Sequence, residues 1–477
     1  MEWLKILPPL VAIIIVLWKK EVILALILSI FVSEWLLFAA QSATESSLMG
    51  PVTGGLNTLE RITAVFSDAG NTRILIFSVM VGALLAYMRK SGGVAGLVKT
   101  LISKGLAKSP RQVSLMASFT GVVVFVESNL SVLTAGILSR GLFDKFGLSR
   151  AKLAYIIDST SAPICILILL NAWGAYVLAL LSSYELESSS AEILWGSVPF
   201  NFYALITLAI VFYSAYTGKY YGPLATSPVH IRDAEEDGVI RKESHSSQPN
   251  STLDQDEAGH ASFMLIPILV MVGGMVGFMF WTGDGVLSAG SGSKSVLYAT
   301  SLACLVAYFM MLVSGRFKHQ QLVKIGFSGM SELLPLVAIV LLSLALGASL
   351  KELGTGVYIS QIVGDFLPIY LVAPMIFIVG GVMSFSTGTS WGTFAILIPI
   401  GVPIIQTMGL PPSLIIAAIL GGGVFGDHCS PISDTTAVSA IASGCDLLEH
   451  VKTQLPYALV AGGASVILYL AVGLVIL

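Results

Sequence analysis

Residues 111–140, RQVSLMASFTGVVVFVESNLSVLTAGILSR, form an apolar stretch that carries the polar triplet Glu127-Ser128-Asn129 near its middle. Lys and Arg residues flank the stretch on both sides, so the positive-inside rule places both of its ends in the cytoplasm. A helix broken at mid-depth exposes backbone groups, which are tolerated in a membrane only where they line a cavity or pack on protein. The stretch therefore predicts a re-entrant hairpin whose tip lies near Glu127–Ser131.

The rest of the chain is apolar enough to surround this hairpin with membrane-spanning helices. Of the 477 residues, 55 % are hydrophobic and 11 % are charged, whereas soluble domains carry about 25 % charged residues. This composition excludes an ordinary soluble enzyme and a disordered protein. The net charge of −3 lacks the basic footprint of a nucleic-acid binder. Because each apolar run is long, we expect helices that cross a lipid bilayer.

Ten apolar stretches are long enough to be spans. They lie at about 4–18, 21–40, 73–88, 153–181, 196–217, 262–281, 295–314, 331–350, 412–444 and 455–477. We expect the first to be a span and not a signal peptide, because its start is weakly charged and a second apolar run follows directly. The stretch 369–407 is interrupted by Ser386-Thr387-Gly388-Thr389-Ser390. It predicts a second hairpin, and the order of the spans places both of its ends outside.

The two hairpins predict an inverted repeat. Residues 1–217, with a hairpin at about 111–140, and residues 261–477, with a hairpin at about 369–407, share one order of spans but enter from opposite sides. This is the usual design of secondary transporters, whose sites lie at the midplane between the halves. Residues 218–260 are polar and charged, which predicts a flexible cytoplasmic linker. The predicted fold class is an all-α polytopic membrane protein.

Three carboxylates lie at membrane depth beside the predicted helix breaks: Glu127, Asp158 and Asp427. A charge inside a membrane is costly and marks a functional site. Pro163 frees a carbonyl one turn before it, and the glycine-rich run 421–426 precedes Asp427. Freed carbonyls, hydroxyls and a carboxylate together suit a hard cation such as sodium. We therefore predict that the three carboxylates bind Na+, with the capping of broken helices as the alternative.

Small polar residues beside these carboxylates are the predicted neutral ligands. They are Ser128, Asn129, Ser159, Thr160, Thr387, Thr389 and Ser390. Close helix packing also uses Ser, Thr and Gly and remains an alternative for the second tip. Asp434 is either a further ion ligand or a helix N-cap. The four cysteines, and His428 beside Cys429, show no ligand spacing, so no resident metal or other cofactor is predicted.

Four segments of the chain resemble the NhaC family of sodium/proton antiporters. They are GDHCSPISDTT at 426–436, TGTSWGTF at 387–394, LAYIIDSTSAP at 153–163 and HVKTQLP at 450–456. The resemblance covers about residues 70–180 and 325–465. It implies the ion transporter superfamily, with a scaffold, a mobile transport domain that holds both tips, a homodimer and elevator-like motion. The first tip departs from the family's common FFDDYAN, because residues 125–131 are FVESNLS.

On these grounds we predict a secondary active antiporter, not an enzyme, that exchanges Na+ for H+ across the inner (plasma) membrane. Desolvation favours the neutral form of a buried carboxylate and a bound cation favours its ionised form, so Na+ and H+ compete for one site. The main alternative is a Na+- or H+-coupled exchanger of a small organic anion or amino acid, of the malate/lactate type. An intramembrane aspartyl protease lacks the expected residues around Asp158 and Asp427, and opposed hairpins favour alternating access over a channel.

Overall fold

The computed structural model describes residues 2–41, 50–93, 96, 108–125, 127–169, 171–182, 184, 186–229, 259–286 and 290–476. Within these ranges the chain is helical and contains no β-strand, which confirms the all-α fold. Nine of the described helices are long and apolar enough to cross a membrane, or ten if the bent pair Ser190–Phe200 and Phe202–Leu224 forms one span. The count is close to the predicted ten, but two of the nine, Ile369–Thr387 and Ser390–Met408, are the arms of the predicted second hairpin.

The helices of the first half follow one another in chain order. They are α1 (Leu7–Lys19), α2 (Val22–Gln41), α3 (Gly50–Ala64), α4 (Ala69–Lys90), α5 (Pro110–Val123), α6 (Ser128–Lys145), α7 (Arg150–Ser159), α8 (Ala162–Cys165), α9 (Ala172–Ser182), α10 (Ser190–Ser197) and α11 (Phe202–Thr217). Residues 230–258 of the predicted linker, with His230 and His245, lie outside the described residues.

The second half continues the numbering. Its helices are α12 (Ser262–Thr282), α13 (Gly292–Val313), α14 (His319–Glu332), α15 (Leu334–Leu353), α16 (Thr355–Phe366), α17 (Val372–Thr387), α18 (Ser390–Met408), α19 (Pro412–Cys429), α20 (Asp434–Ser443) and α21 (Leu447–Ile476).

Three stretches that were predicted as single spans are broken in the structure. The stretch 153–181 divides into α7, α8 and α9, the stretch 196–217 divides at Asn201, and 412–444 divides into α19 and α20. Prolines near the breaks, such as Pro163, cannot donate the backbone hydrogen bond that a continuous helix requires. The breaks after Asp158 and Asp427 agree with the helix breaks that the sequence predicts, whereas the break at Asn201 was not predicted.

Three helices lie outside all the predicted stretches: α3, α14 and α16. Helix α3, GPVTGGLNTLERITA, and helix α14, HQQLVKIGFSGMSE, mix polar with apolar residues. Such helices present one apolar face and have no long apolar run. A search for apolar runs therefore overlooks them.

Each predicted hairpin corresponds to a helix pair with a short break. Helices α5 and α6 are separated by residues 124–127, and Ser131 Oγ donates a hydrogen bond of 2.8 Å to the Gly121 carbonyl across the two arms. Helices α17 and α18 are separated by Gly388 and Thr389. Gly388 has a φ of +68°, which glycine adopts without steric cost. The helices α17 and α18 each have the length of a span, so the re-entrant path and the inverted repeat stay predictions.

The buried apolar side chains form two clusters. The larger cluster includes residues of α1, α2, α4, α9, α15 and α17–α19. The smaller cluster joins α5, α6 and α7 to the ends of α11, α20 and α21. The first hairpin is therefore packed largely in an apolar cluster of its own, beside the larger core that holds the second hairpin.

Candidate functional site

Asp158 lies in the last turn of α7 and is 0 % exposed. Its Oδ2 accepts a hydrogen bond of 2.7 Å from Gln454 Nε2 and lies 3.2 Å from His450 Nε2 and 3.8 Å from His428 Nε2. No donor among the described residues reaches its Oδ1. All three partners belong to the second half of the chain, so the environment of Asp158 is built between the two halves.

The His428 ring is buried between α11 and α7. Its Nδ1 lies 2.7 Å from Tyr203 Oη, and its Nε2 lies 3.3 Å from Ser159 Oγ. Ser159, a predicted neutral ligand, therefore contacts a histidine. Thr160 Oγ1 donates a 2.8 Å hydrogen bond to the Ile156 carbonyl of its own helix. The hydroxyls next to Asp158 thus stabilise the broken end of α7 and the position of His428.

Asp427 lies in the last turn of α19 and is 2 % exposed. Its Oδ2 accepts a hydrogen bond of 2.6 Å from Ser390 Oγ, and Ser390 Oγ also lies 3.3 Å from the Gly423 carbonyl. In the described part of the chain, no group donates to Asp427 Oδ1. The structure therefore brings together Asp427 and Ser390, two of the predicted site residues, and leaves one carboxylate oxygen without a donor among the described residues.

The tip of the second hairpin packs on the break that follows α19. Ser430 Oγ donates a 2.7 Å hydrogen bond to the Phe385 carbonyl. A Cβ atom at Gly388 would lie 2.5 Å from the Ile432 carbonyl oxygen, so this approach requires glycine. Thr387 Oγ1 donates to the Met383 carbonyl of its own helix at 3.0 Å. Thr389, the remaining predicted ligand of this tip, is half-buried at the residue before α18.

Glu127 lies at the residue before α6 and caps that helix. Its Oε1 accepts a hydrogen bond of 2.9 Å from the Asn129 backbone N–H, and its Oε2 accepts one of 2.6 Å from the Leu130 backbone N–H. The side chain is half-buried, and Ser128 Oγ lies 3.4 Å from Oε1. These contacts fit the capping alternative that the sequence left open.

Asp434 faces the first hairpin. It is exposed at the first position of α20, and its Oδ2 lies 3.5 Å from Asn129 Nδ2. The N-cap of α20 is Ser433, whose hydroxyl accepts from the Thr436 backbone N–H at 3.3 Å. Ser433 therefore occupies the N-cap position, and Asp434 follows it at the first helical position, where its Oδ1 accepts a hydrogen bond of 2.9 Å from the Thr435 backbone N–H.

The first tip is held by Asn171, a buried residue just before α9. Its Nδ2 lies 3.0 Å from the Phe125 carbonyl and 2.8 Å from the carbonyls of Cys165 and Ile168. The tip thus packs on the break between α7 and α9, as the second tip packs on the break after α19. Each hairpin tip adjoins the broken helix that follows it in the chain.

Sequence reasoning did not assign Tyr203, His428, His450 or Gln454 to the site. His450 and Gln454 are 0 % and 1 % exposed and stand four residues apart, so they share one face of α21. That spacing was the available signal, and it lies in the segment HVKTQLP. Tyr203 carries no comparable signal, because it is one aromatic residue in the apolar helix α11.

The arrangement can hold a small cation or a proton at either buried carboxylate. Both carboxylates end a helix whose last carbonyls are freed by a break, and carbonyl and carboxylate oxygens are the ligands that hard cations prefer. For the residues that the structure describes, no group of three or more His, Cys, Asp or Glu side chains has the arrangement of a metal centre. The candidate site therefore consists of two buried carboxylates and the polar groups that anchor them.

The chain is similar to known proteins both in its sequence and in its fold. A family model described as "Na+/H+ antiporter family" matches residues 164–474. An uncharacterized protein of Haemophilus influenzae is 29 % identical over 98 % of this chain and 90 % of its own length. The malate-2H+/Na+-lactate antiporter of Bacillus subtilis is 38 % identical over 105 residues, 22 % of each chain. The solved structure of Neisseria gonorrhoeae MtrF, titled as one of a class of antimetabolite efflux pumps, shares the fold with a TM-score of 0.59 and 13 % identity over 94 % of each chain.

The family match covers the second carboxylate site completely. Asp427, Ser390 and the three partners of Asp158 all lie within residues 164–474, whereas Asp158 and Glu127 precede them.

Proposed function

The chain belongs to the Na+/H+ antiporter family, and from this premise we propose that it is a secondary active antiporter that exchanges Na+ for H+ by alternating access. Family membership confirms the NhaC resemblance of the sequence motifs and makes the chain a membrane transporter. We place it in the inner membrane because the loops assigned to the cytoplasm carry most of the Lys and Arg residues.

The observation that carries the proposal is the parallel between Asp158 and Asp427. Each carboxylate has one oxygen anchored by a side-chain donor, Gln454 or Ser390, and one oxygen that no donor reaches within the described residues. A buried polar atom without a partner costs free energy. A bound Na+ or a proton removes that cost, so each anchored carboxylate is prepared to exchange one for the other.

Exchange requires that the two ions compete. Burial favours the neutral form of a carboxylate, and a cation beside it favours the ionised form. If the carboxylate moves between the two sides only when it is Na+-bound or protonated, and not when it is empty, an outward step with Na+ and an inward step with H+ form a cycle. No separate proton path is needed in this scheme.

The remaining predicted residues take secondary roles in the proposal. Glu127 is the third candidate carboxylate, and we assign it a capping role first because both of its oxygens accept backbone N–H groups. Elevator-like motion of a transport domain within a homodimer is the family-level expectation.

The decisive experiment uses purified protein in liposomes with an acid-inside pH gradient. We expect added Na+ alone to collapse the gradient, as followed by a pH-sensitive dye inside the vesicles. Potassium, lithium, malate and a neutral amino-acid mixture are added separately. A gradient that survives Na+ but collapses with an organic solute would overturn Na+/H+ exchange.

An organic anion or amino acid is the second candidate substrate. Its support is the similarity to a relative that is named a malate-2H+/Na+-lactate antiporter, together with the changed first tip at Ser128 and Asn129. Against it, the hydrogen bonds and ion pairs described for Asp158 and Asp427 include no Lys or Arg. A cationic side chain is the usual partner of a carboxylate substrate, so we place this candidate second.

A further inference from the structure

Gln454 joins two features that lie far apart in the sequence. Its Nε2 donates a hydrogen bond of 2.7 Å to Asp158 Oδ2 and another of 2.7 Å to the His428 carbonyl oxygen. The side chain is 1 % exposed. One amide group therefore contacts both the carboxylate at the broken end of α7 and the broken end of α19.

The second acceptor exists because α19 ends there. In a continuous helix the His428 carbonyl would accept from the backbone N–H of residue 432. Ile432 N–H lies instead 3.4 Å from Ser430 Oγ, and the chain leaves α19 after Cys429. The carbonyl of His428, the residue that follows Asp427, is thus free to accept from Gln454.

The orientation of the amide follows from its neighbours. Both atoms that it contacts are acceptors, so the NH2 group and not the oxygen must face them. The Oε1 atom then points away and has no donor within the described residues. The amide therefore makes two hydrogen bonds through its nitrogen while its oxygen stays without a partner among the described residues.

We propose that Gln454 is a positioning residue that ties the Asp158 carboxylate to the end of α19 and so couples the two carboxylate sites. That the coupled ion is Na+ rests on the proposed function. Two contacts of His428 Nε2 also bridge α7 and the end of α19, but they are longer, since this atom lies 3.3 Å from Ser159 Oγ and 3.8 Å from Asp158 Oδ2. Without the amide, Asp158 loses its shortest contact and the break after α19 opens more readily.

The test compares Gln454→Met with Thr453→Val. Methionine keeps the length and volume of glutamine but donates no hydrogen bond. Thr453 is the neighbouring buried residue, and its hydroxyl bonds the Glu449 and His450 carbonyls of its own helix at 2.8 and 2.9 Å. The threonine variant therefore removes a buried polar group of α21 but none of the side-chain contacts of Asp158 or Asp427.

The native Cys429 reports the opening of the break. It is the last residue of α19, is 5 % exposed and is free. In a background with Cys165→Ser, Cys304→Ala and Cys445→Ala, a maleimide labels Cys429 in membranes. We expect Gln454→Met to raise the labelling rate about tenfold, the effect of losing a hydrogen bond to a charged group. The Thr453→Val variant should keep the original rate.

Transport supplies the second measurement. We expect Gln454→Met to raise the KM for Na+ about tenfold while kcat changes much less, because the carboxylate is still present but no longer held. Faster labelling with an unchanged KM would overturn the coupling and leave a structural contact. Unchanged labelling would overturn the tie itself.

The two proposals can fail separately. If the unmutated protein moves no protons with Na+ but Gln454→Met still labels faster, Na+/H+ exchange fails and the tie stands. If Gln454→Met does not fold, Gln454→Asn replaces it, since both bonds come from the one Nε2 atom and a side chain shorter by one methylene withdraws that nitrogen from both acceptors. An Asn variant with the original labelling rate would then overturn the proposal.

Discussion

Ser390 Oγ donates a hydrogen bond of 2.6 Å to Asp427 Oδ2, although the two residues stand 37 positions apart. The contact links the first residue of α18 with the last turn of α19. It therefore connects the tip of the second hairpin with the helix break that carries the buried carboxylate. Any movement of the tip changes the environment of Asp427 directly.

Removal of this hydroxyl should weaken ion binding without unfolding the protein. A hydrogen bond to a charged group contributes about 1.5–3 kcal/mol, so Ser390→Ala should raise the KM for Na+ by about tenfold or more. The control is Ser386→Ala on the same hairpin, whose hydroxyl bonds the Val382 carbonyl of its own helix at 2.8 Å. Equal KM values in the two variants would separate Ser390 from the ion site.

Asp427→Asn should abolish Na+-driven proton movement and leave the fold intact. The asparagine oxygen still accepts from Ser390, but the side chain can neither ionise nor release a proton at neutral pH. The measurement is Na+-induced collapse of an acid-inside gradient, with thermal unfolding in detergent as the check on folding. Exchange at the original rate would remove Asp427 from the proposed mechanism.

Glu127→Gln and Glu127→Ala separate capping from ion binding at the first tip. A glutamine oxygen can still accept from the backbone N–H groups of Asn129 or Leu130, whereas alanine cannot. We expect Glu127→Gln to retain exchange and Glu127→Ala to destabilise the protein by about 1 kcal/mol, the usual cost of a lost N-cap. A folded Glu127→Gln variant that moves no protons would instead make Glu127 an ion-binding carboxylate.

Arg61 should be more important for stability than for transport. Its Nε lies 2.6 Å from Glu34 Oε1, Glu34 is 4 % exposed, and Ser349 Oγ donates to the same oxygen at 2.8 Å. Arg61→Ala leaves a buried carboxylate without its cation, which costs about 3 kcal/mol or more. The measurement is the free energy of unfolding in detergent.

A matched control exists at another ion pair of the same chain. Arg89 pairs with Glu332, and both side chains are considerably more exposed, at 35 % and 55 %. Arg89→Ala should cost less than about 1 kcal/mol, as solvated ion pairs usually do. Equal losses in the Arg61 and Arg89 variants would contradict the structural role of the buried pair.

Local sequence was sufficient to locate the helix breaks. Pro163 lacks a backbone donor, and Gly388 adopts a positive φ that other residues avoid. Such constraints act within one turn of the chain, so the sequence reveals them without knowledge of the fold. The predictions of a break beside Asp158, beside Asp427 and at the second tip therefore agree with the ends of α7, α19 and α17.

Sequence patterns were less informative about amphipathic helices and about the roles of individual site residues. The helices α3, α14 and α16 escaped prediction because no long apolar run marks them. The two roles considered for Glu127 could not be separated either, since a carboxylate before a helix suits both a cap and an ion ligand. The observed bonds to Asn129 and Leu130 give the capping role its support.

By itself, the sequence determined that this chain is a helical membrane protein of the Na+/H+ antiporter family with carboxylates at broken helices. Composition and chain breaks are local properties and suffice for the membrane helices and the buried carboxylates, whereas the family follows from the resemblance of four short segments to its motifs. Only the tertiary structure decided that Gln454 and His450 of the last helix anchor Asp158, 296 and 292 residues away. Such partners depend on which helix faces meet, and a buried polar group is satisfied by whichever donor the packing brings within about 3 Å.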